Sequence, residues 1–332
     1  MLNRYSLENY DFDLPKELIR QTPPIAREDA RLMKVEGEEI AHMRIPDIIH
    51  FLEKDDVIVL NRTVVRKALL LGKKSTGGLA RITLLRKNGE GFDCFIKGSV
   101  NDGDVLLIGD RKAIAGTSED GKRKLVCDFG WDYVEKVGHL PLPPYIKKQQ
   151  DFQYYQNEIG NSLGSIAAPT ASLHFGNEML RKINEKGVKV SFSLLSVGYG
   201  TFKGIKDVDI RKHVVDEEEI EVDSSLVATI ENSRGKVVGV GTTVVRALET
   251  ASFPGPLRPY SGSTGIFIYP GFKFNSGLTH LLTNFHIPRS SLLSLIYAFG
   301  GEERMKNAYK TAIEKKYYFY SLGDAVLMDR SA

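Results

Sequence analysis

The chain shows two different patterns of hydrophobic and polar residues, one in its middle and one on either side. Between residues 61 and 148, short apolar runs alternate with turn dipeptides such as Gly77-Gly78, Asn88-Gly89 and Asp102-Gly103. Short strands joined by such turns are typical of a small antiparallel barrel. Before residue 61 and after residue 148, strand-like apolar runs alternate with segments of helical spacing, which predicts a mostly parallel sheet covered by helices.

The predicted fold is therefore an α/β domain with a mostly parallel sheet, plus an inserted all-β small barrel domain. The α/β domain is discontinuous and takes residues 1–60 and 149–332, and the barrel takes residues 61–148. In the shorter α/β segment the continuous apolar run 57–60 predicts a buried strand. In the longer α/β segment the pattern predicts strands over 188–195, 237–240, 266–269 and 281–286, and helices over 178–186, 226–232 and 302–316, with two more that begin near 244 and 290.

Charge is distributed unevenly between these two parts. Residues 61–148 contain 17 Lys and Arg against 10 Asp and Glu, whereas the rest of the chain contains 28 against 32. Such an excess indicates a basic surface that could hold an RNA backbone, or else an ordinary solvated face. The candidate RNA-binding residues flank the Gly77-Gly78 turn and are Lys73, Lys74, Arg81, Arg86 and Lys87.

Cysteine usage and hydropathy limit the setting in which the protein works. The two cysteines, Cys94 and Cys127, give neither a disulfide framework nor metal-ligand spacing, so we expect free thiols, no metal and a reducing cytoplasm. No apolar run is long enough to cross a bilayer, and the N-terminus lacks the pattern of a signal peptide, so we expect no membrane association.

The segment 164–175 carries the most unusual pattern in the chain. Its residues are small and poor in charge, and the hydroxyl of Thr170 and the imidazole of His174 follow Pro169, which fixes the backbone. Small residues allow a ligand close to the backbone, and an imidazole can change its charge near neutral pH. The alternative is a tight loop in which His174 is hydrogen-bonded in the core.

Small polar residues also follow three of the predicted strands. Because ligands of open α/β sheets collect beyond the carboxyl ends of the strands, these residues predict a polar ligand pocket. Gly198, Gly200 and Thr201 follow the predicted strand 188–195, and Thr242, Thr243 and Arg246 follow 237–240. Asn284 and His286 lie at the end of the predicted strand 281–286.

An imidazole and a carboxylate lie close together in the charged segment 209–219. His213 and Glu217 are four residues apart, so they could form a base and the carboxylate that orients it. The alternative is an exposed charged loop.

A series of motifs resembles the S-adenosylmethionine:tRNA ribosyltransferase-isomerase family of queuosine biosynthesis. The series runs in family order from near residue 10 to near residue 325. It comprises Asp11-Phe12-Asp13-Leu14-Pro15 with Arg27 and Arg31; Leu140-Pro141-Leu142-Pro143-Pro144-Tyr145-Ile146; Ala167-Ala168-Pro169-Thr170-Ala171 with Leu173-His174-Phe175; Val197-Gly198 with Gly200-Thr201-Phe202; Gly241-Thr242-Thr243 with Val245-Arg246; Ile268-Tyr269-Pro270-Gly271-Phe272; Thr283-Asn284-Phe285-His286 with Pro288 and Ser290; and Gly323-Asp324-Ala325.

The resemblance implies an α/β domain with an inserted β-barrel and an unusual use of S-adenosylmethionine. The family transfers the ribosyl part of this substrate to the aminomethyl group of a 7-deazaguanine at the wobble position of the tRNA anticodon. Adenine and methionine leave, and the product is epoxyqueuosine. A base must remove a proton next to the sulfonium, for which His174 and His213 are the candidates, with Glu217 as orienting carboxylate or second base. Ribose, carboxylate and adenine would contact Thr170, Thr242, Thr243, Arg246 and Asn284.

Five polar positions of the family pattern differ in this chain. We assign these changes to Val64 and Leu69 in place of Arg, Arg81 in place of Glu, and Ser196 and Val215 in place of His. Val215 is assigned within the pattern His-x-Met-His-x-Glu that the resemblance implies, of which His213 and Glu217 are taken as retained. They motivate an alternative function, in which the chain is a paralogue with an altered acceptor or without ribosyl transfer, acting as an RNA- or nucleoside-binding protein.

Overall fold

The computed structural model describes residues 3–119, 121–146 and 152–331. The chain divides into two compact units, one of Met1–Val64 with Pro144–Ala332 and one of Val65–Pro143. The predicted insert, 61–148, is slightly longer at both ends. Asn61 and Thr63 stay with the first unit, where both side chains are buried, and the Tyr145 carbonyl accepts a hydrogen bond from Gln21 in that same unit.

The described residues form 17 strands and seven α-helices. In chain order the strands are β1 (Arg31–Glu36), β2 (Glu39–Arg44), β3 (Val57–Asn61), β4 (Thr63–Val65), β5 (Leu69–Lys74), β6 (Leu79–Asn88), β7 (Gly91–Lys97), β8 (Val105–Ile108), β9 (Arg111–Glu119), β10 (Lys122–Cys127), β11 (Ser162–Ser165), β12 (Lys189–Leu195), β13 (Glu218–Val222), β14 (Val237–Val240), β15 (Tyr260–Thr264), β16 (His280–Asn284) and β17 (Ala325–Asp329). The helices are α1 (Ile48–Phe51), α2 (Trp131–Val137), α3 (Asn177–Glu185), α4 (Ser224–Glu231), α5 (Thr242–Ala251), α6 (Ser291–Gly300) and α7 (Glu302–Glu314).

The first unit is built on a nine-stranded sheet in the order β15-β13-β12-β3-β14-β16-β17-β1-β2. Its centre is parallel, because β12, β3, β14 and β16 pair in parallel with their neighbours in that group. The pairs β15-β13, β13-β12, β16-β17 and β1-β2 are antiparallel. The predicted α/β sheet is present, but it is mixed rather than mostly parallel, since β1 with β17 adds a fourth parallel pair to four antiparallel ones. The short connection from β1 to β2 requires one of these antiparallel pairs.

Each face of this sheet is covered by its own hydrophobic cluster. Along β3, Val57 and Val59 belong to one cluster, and Ile58 and Leu60 belong to the other. This alternation follows from the period of two in a strand. Helices α5, α6 and α7 contribute to the first cluster, and α1 and α3 contribute to the second. Burial on both faces explains why β3 and β14 are continuous apolar runs.

The second unit is a closed antiparallel barrel in the order β10-β7-β6-β5-β8-β9. Inward residues alternate with outward ones, as in β6, where Ala80, Ile82 and Leu84 are buried and Leu79 and Arg81 are exposed. The predicted barrel is therefore present. Within the described ranges, neither unit contains a helix that is long and apolar enough to cross a membrane.

Candidate active site at the carboxyl edge of the sheet

The segment 164–175 is tied to the carboxyl ends of the central strands. The Ser165 hydroxyl accepts a hydrogen bond from the Val197 N–H at 2.8 Å and lies 2.7 Å from the Thr63 hydroxyl. The Ser172 hydroxyl accepts from the Asn61 N–H at 3.3 Å. Short side chains are needed here because backbone and strand ends approach closely. The segment therefore packs against the edge of the sheet at which the sequence predicts a ligand pocket.

His174 is fixed as a neutral, hydrogen-bonded ring. It is 4% exposed, and its Nε2 lies 3.1 Å from Asn284 Nδ2. The same Asn284 amide nitrogen also donates to the Gly323 and Asp324 carbonyls at 3.3 and 3.4 Å. An amide nitrogen only donates, so His174 Nε2 accepts. Burial lowers the pKa of His174 to about 4, against the opposing effect of the Asp324 carboxylate.

The predicted residues that follow β14 and β16 also lie at the carboxyl edge of the sheet, each group after its own strand. Gly241, with φ of 95°, turns the chain from β14 into α5, a conformation that favours glycine. Thr242 is then buried and Thr243 is partly exposed, at the start of α5. His286 Nε2 lies 3.2 Å from the Thr283 hydroxyl, and burial lowers the pKa of His286 to about 3.

A cleft beside β13 brings four of the predicted residues together, namely Gly200, Thr201, His213 and Arg246. The cavity volume of this cleft is about 30 Å³, and the cleft opens to solvent. Polar residues that the sequence reasoning missed also line it: Lys203, Asp216, Glu218 and Ser291. Apolar residues complete the walls: Val214, Val215, Ile266, Phe267, Ile268, Leu292 and Leu295. The cleft thus combines an imidazole, a guanidinium, an ammonium and two carboxylates within an apolar frame, which is the usual build of a polar ligand site.

The innermost charged pair of the cleft is Glu218 with Arg246. Their side chains are 5% and 10% exposed, and Arg246 Nη1 forms an ion pair with Glu218 Oε2. The other carboxylate oxygen, Oε1, accepts from the Gly198 N–H at 2.6 Å. Among the described residues, Arg246 Nε and Nη2 find no hydrogen-bond acceptor, although both atoms are buried. Arg246 therefore retains two donors that only a further group can satisfy.

His213 is the imidazole that reaches this cleft. It is half-buried, and its ring meets Phe267 edge-on with centroids 5.3 Å apart. Burial lowers the pKa of His213, while the carboxylates of Asp207 and Asp216 act in the opposite direction. Asp216 also forms an ion pair with Lys203 at 2.7 Å. A Cβ added at Gly200 would lie only 2.4 Å from an Asp216 carboxylate oxygen, which is too close for a real contact. Only glycine fits at position 200 with this arrangement.

The carboxylate assigned to this segment needs a correction of register. The family pattern is His-x-Met-His-x-Glu, so with His213 as its first residue its last residue is Glu218, not Glu217, and its second His falls at Asp216, not Val215. The structure gives these positions different surroundings. Glu217 is exposed, whereas Glu218 is 6% exposed and bonded to Arg246. Glu218, rather than Glu217, is the carboxylate inside the cleft.

The other changed positions are spread over both units. Val64 lies in β4, and Leu69 is buried in β5 of the barrel, where its N–H and carbonyl pair with His139. Ser196 follows β12 directly, and its hydroxyl would be 2.8 Å from a Cβ on Gly164. Val64, Ser196 and Val215 belong to the first unit, and Leu69 and Arg81 belong to the barrel. Of these five positions only Val215 lines the cleft.

The five barrel cations lie along two neighbouring strands, and two of them are already paired. Lys74 Nζ lies 2.6 Å from an Asp104 carboxylate oxygen, and Arg86 Nε lies 2.7 Å from one of Asp93. Lys73, Arg81 and Lys87 are exposed. Arg81 and Lys87 are six residues apart in β6, about 20 Å along an extended strand. The cations thus form an extended line rather than a single cluster.

Metal-ligating residues do not gather in the parts of the chain that the structure describes, where no group of three or more His, Cys, Asp or Glu could hold a metal ion. Cys94 is buried in the barrel and Cys127 is partly buried, and both are free thiols.

The fold and the cleft define a class of protein: an α/β unit with an inserted antiparallel barrel and an enzyme-like polar site at the carboxyl edge of its sheet. Residues 7–328 match the family model described as queuosine biosynthesis protein, and the chain belongs to this family. The resemblance that the motifs indicate is therefore confirmed.

Named relatives cover nearly the whole chain. It is 40% identical to the S-adenosylmethionine:tRNA ribosyltransferase-isomerase of Aquifex aeolicus over 97% of this chain and 99% of the relative. It is also 40% identical to the protein of that name from Thermosipho africanus, over 96% and 98%. The crystal structure of the S-adenosylmethionine tRNA ribosyltransferase of Thermotoga maritima is 32% identical, with a TM-score of 0.56 over 96% of this chain and 99% of that one.

Proposed function

We propose that this protein is an S-adenosylmethionine:tRNA ribosyltransferase-isomerase. It transfers and isomerises the ribosyl part of S-adenosylmethionine onto 7-aminomethyl-7-deazaguanine in tRNA, gives epoxyqueuosine, and releases adenine and methionine. The observation that carries this proposal is the 40% identity to a relative of this name over 97% of the chain and 99% of the relative. S-adenosylmethionine is a substrate here, and the proposed site of action is the cytoplasm.

His213 is the better placed of the two candidate bases. The reaction needs a group that takes a proton from the carbon next to the sulfonium. His213 lines the cleft, and its lowered pKa keeps the ring neutral and able to accept a proton at neutral pH. His174 is enclosed, and its Nε2 already accepts from Asn284. We therefore assign the proton transfer to His213, and we assign to His174 the positioning of Asn284 at the sheet edge.

The remaining site residues would hold the parts of the substrate that do not react. Thr170, Thr242, Thr243 and Asn284 follow or cross the ends of the central strands, where hydroxyl and amide groups suit ribose and adenine edges. Gly200 and Thr201 line the cleft together with His213, and Gly198 precedes them in a loop whose small residues would allow a ligand close to the backbone. His286, partly buried against Thr283, would support this edge rather than contact the substrate.

The barrel would contact the tRNA near its anticodon. Lys73, Arg81 and Lys87 are exposed on β5 and β6, and cations on a ribbon of two strands can hold phosphates without reading bases. Lys74 and Arg86 would contribute less, because Asp104 and Asp93 already neutralise them.

The test measures adenine released from S-adenosylmethionine in the presence of tRNA that carries 7-aminomethyl-7-deazaguanine. We expect release with this tRNA and none with tRNA that carries guanine at the wobble position. His213→Gln should abolish turnover while S-adenosylmethionine still binds, and His50→Gln, at an exposed histidine of α1, should not alter either. Binding of S-adenosylmethionine or tRNA by the wild type without any adenine release would reject the enzyme and favour the binding paralogue.

A further inference from the structure

Arg246, a residue that lines the cleft, has two guanidinium nitrogens without a hydrogen-bond acceptor among the described residues. The residue belongs to α5 and is 8% exposed. Its Nη1 is taken by Glu218, whereas Nε and Nη2 are buried and have no acceptor among the described residues. A buried donor of a charged group that lacks an acceptor is costly. A protein that keeps such a group in its cleft therefore points to an acceptor that arrives with the ligand.

The two free donors lie on one edge of the guanidinium. On that edge the Nε–H and one Nη–H are parallel, and their spacing matches the two oxygens of a carboxylate. Glu218 holds the opposite end of the group and is itself held by the Gly198 N–H at 2.6 Å. The edge is thus fixed in direction before the ligand binds, which reduces the ordering required on binding.

Charges around the fork favour an amino acid over a phosphate. The carboxylates of Glu218 and Asp216 line the same cleft and pair with Arg246 and Lys203, so these charges balance, and the second negative charge of a dianionic phosphate would have no matching cation. An α-amino acid group carries both a carboxylate and an ammonium, and it can use the fork and these carboxylates together. Among the proposed substrates, S-adenosylmethionine has such a group on its methionine part.

We propose that the Nε–Nη2 edge of Arg246 binds the α-carboxylate of S-adenosylmethionine, and that Glu218 is a positioning residue for Arg246. This inference rests on the proposed function, since it takes the methionine part of that substrate as the ligand. It assigns Glu218 a task that does not require contact with the reacting atoms.

The test compares two ligands by calorimetry: S-adenosylmethionine and its decarboxylated analogue, which lacks only the carboxylate. In the wild type we expect the complete ligand to bind about 10- to 100-fold more tightly, as a charge-assisted bidentate contact would provide. Arg246→Lys keeps the charge but removes the fork, so it should abolish most of this preference and leave binding of the analogue within about twofold. Arg234→Lys, at an exposed arginine outside the cleft, is the matched control.

Glu218→Gln adds a readout that a merely structural role would not change. The amide can still accept from Gly198 but no longer holds the guanidinium by charge. We expect the preference for the carboxylate-bearing ligand to fall and KM for S-adenosylmethionine to rise by a similar factor, with kcat at saturation within a few fold. Thermal unfolding of each variant checks its fold, and the two-ligand comparison in the wild type stands even if a variant does not fold.

Each other outcome overturns the inference in a distinguishable way. Equal affinity of the wild type for both ligands would remove the carboxylate contact while leaving the proposed function intact. Wild-type protein that binds neither ligand would contradict the proposed function as well. If Arg246→Lys weakens tRNA binding and leaves both small ligands unchanged, the fork serves an RNA phosphate instead.

Discussion

Acidification should destabilise the protein through His174. Burial lowers the pKa of this ring to about 4 in the folded protein, against about 6.5 in an unfolded chain. The unfolded state therefore binds the proton first as the pH falls. Stability from this group is fully present above about pH 6.5 and is lost as the pH falls towards 4. Between pH 7 and pH 5 the loss from His174 alone is about 2 kcal/mol.

Urea unfolding at pH 7 and pH 5 measures this loss when wild type and His174→Gln are compared. Other groups also titrate in this range, but they are common to both proteins, so the difference between the two pH effects isolates His174. The variant should lose about 2 kcal/mol less than the wild type on acidification, although it starts less stable at pH 7 because it loses the fit of the ring to Asn284. His50→Gln serves as the control at an exposed site. If His174→Gln loses as much stability as the wild type, then His174 is not the buried neutral ring described above.

Three further outcomes follow from the contacts. Asn61→Ala removes the side chain that bonds the Leu195 carbonyl, the Leu195 N–H and the Thr63 N–H at 2.9, 3.2 and 3.1 Å, so urea unfolding should show a loss of about 3 kcal/mol, while the exposed Asn177→Ala changes little. Glu217→Gln should leave kcat and KM for S-adenosylmethionine near those of the wild type, because Glu217 is exposed outside the cleft; a rise in KM as large as that of Glu218→Gln would restore Glu217 to the site. The third variant replaces the three exposed barrel cations, Lys73, Arg81 and Lys87, by alanine. The slope of log K for tRNA binding against log salt concentration should become less steep by about 2, at about 0.7 for each phosphate contact. An unchanged slope would place the tRNA elsewhere.

The elements that the sequence predicts well are strands that are buried on both faces and helices whose buried residues follow the helical period. β3 and β14 are buried on both faces and read as continuous apolar runs, and α3 and α7 lie within a residue or two of their predicted positions. The predicted strand over 266–269 is wrong. Ile266, Phe267 and Ile268 form a wall of the cleft and do not pair in the sheet. The strand nearby is β15, Tyr260–Thr264, whose small polar residues gave no apolar signal.

The pair of Glu218 and Arg246 shows why the cleft was only partly predictable. The two residues are 28 positions apart, and no spacing rule links a strand residue to a helix residue across a loop. One signal was present in β13, where Ile220 and Val222 are buried and Glu219 and Glu221 are not. The period of two in a strand places Glu218 on the inward face, and an inward carboxylate requires a partner.

The fate of two labels tests the proposed reaction most directly. The substrate is S-adenosylmethionine labelled in its ribose or, in a parallel reaction, in its methyl group, together with tRNA that carries 7-aminomethyl-7-deazaguanine. Ribosyl transfer predicts that the ribose label enters the tRNA nucleoside with one adenine released for each label, while the methyl label leaves with methionine. Methyl label in the tRNA, or no ribose label there despite binding of both substrates, would contradict the assignment of this chain as a ribosyltransferase-isomerase.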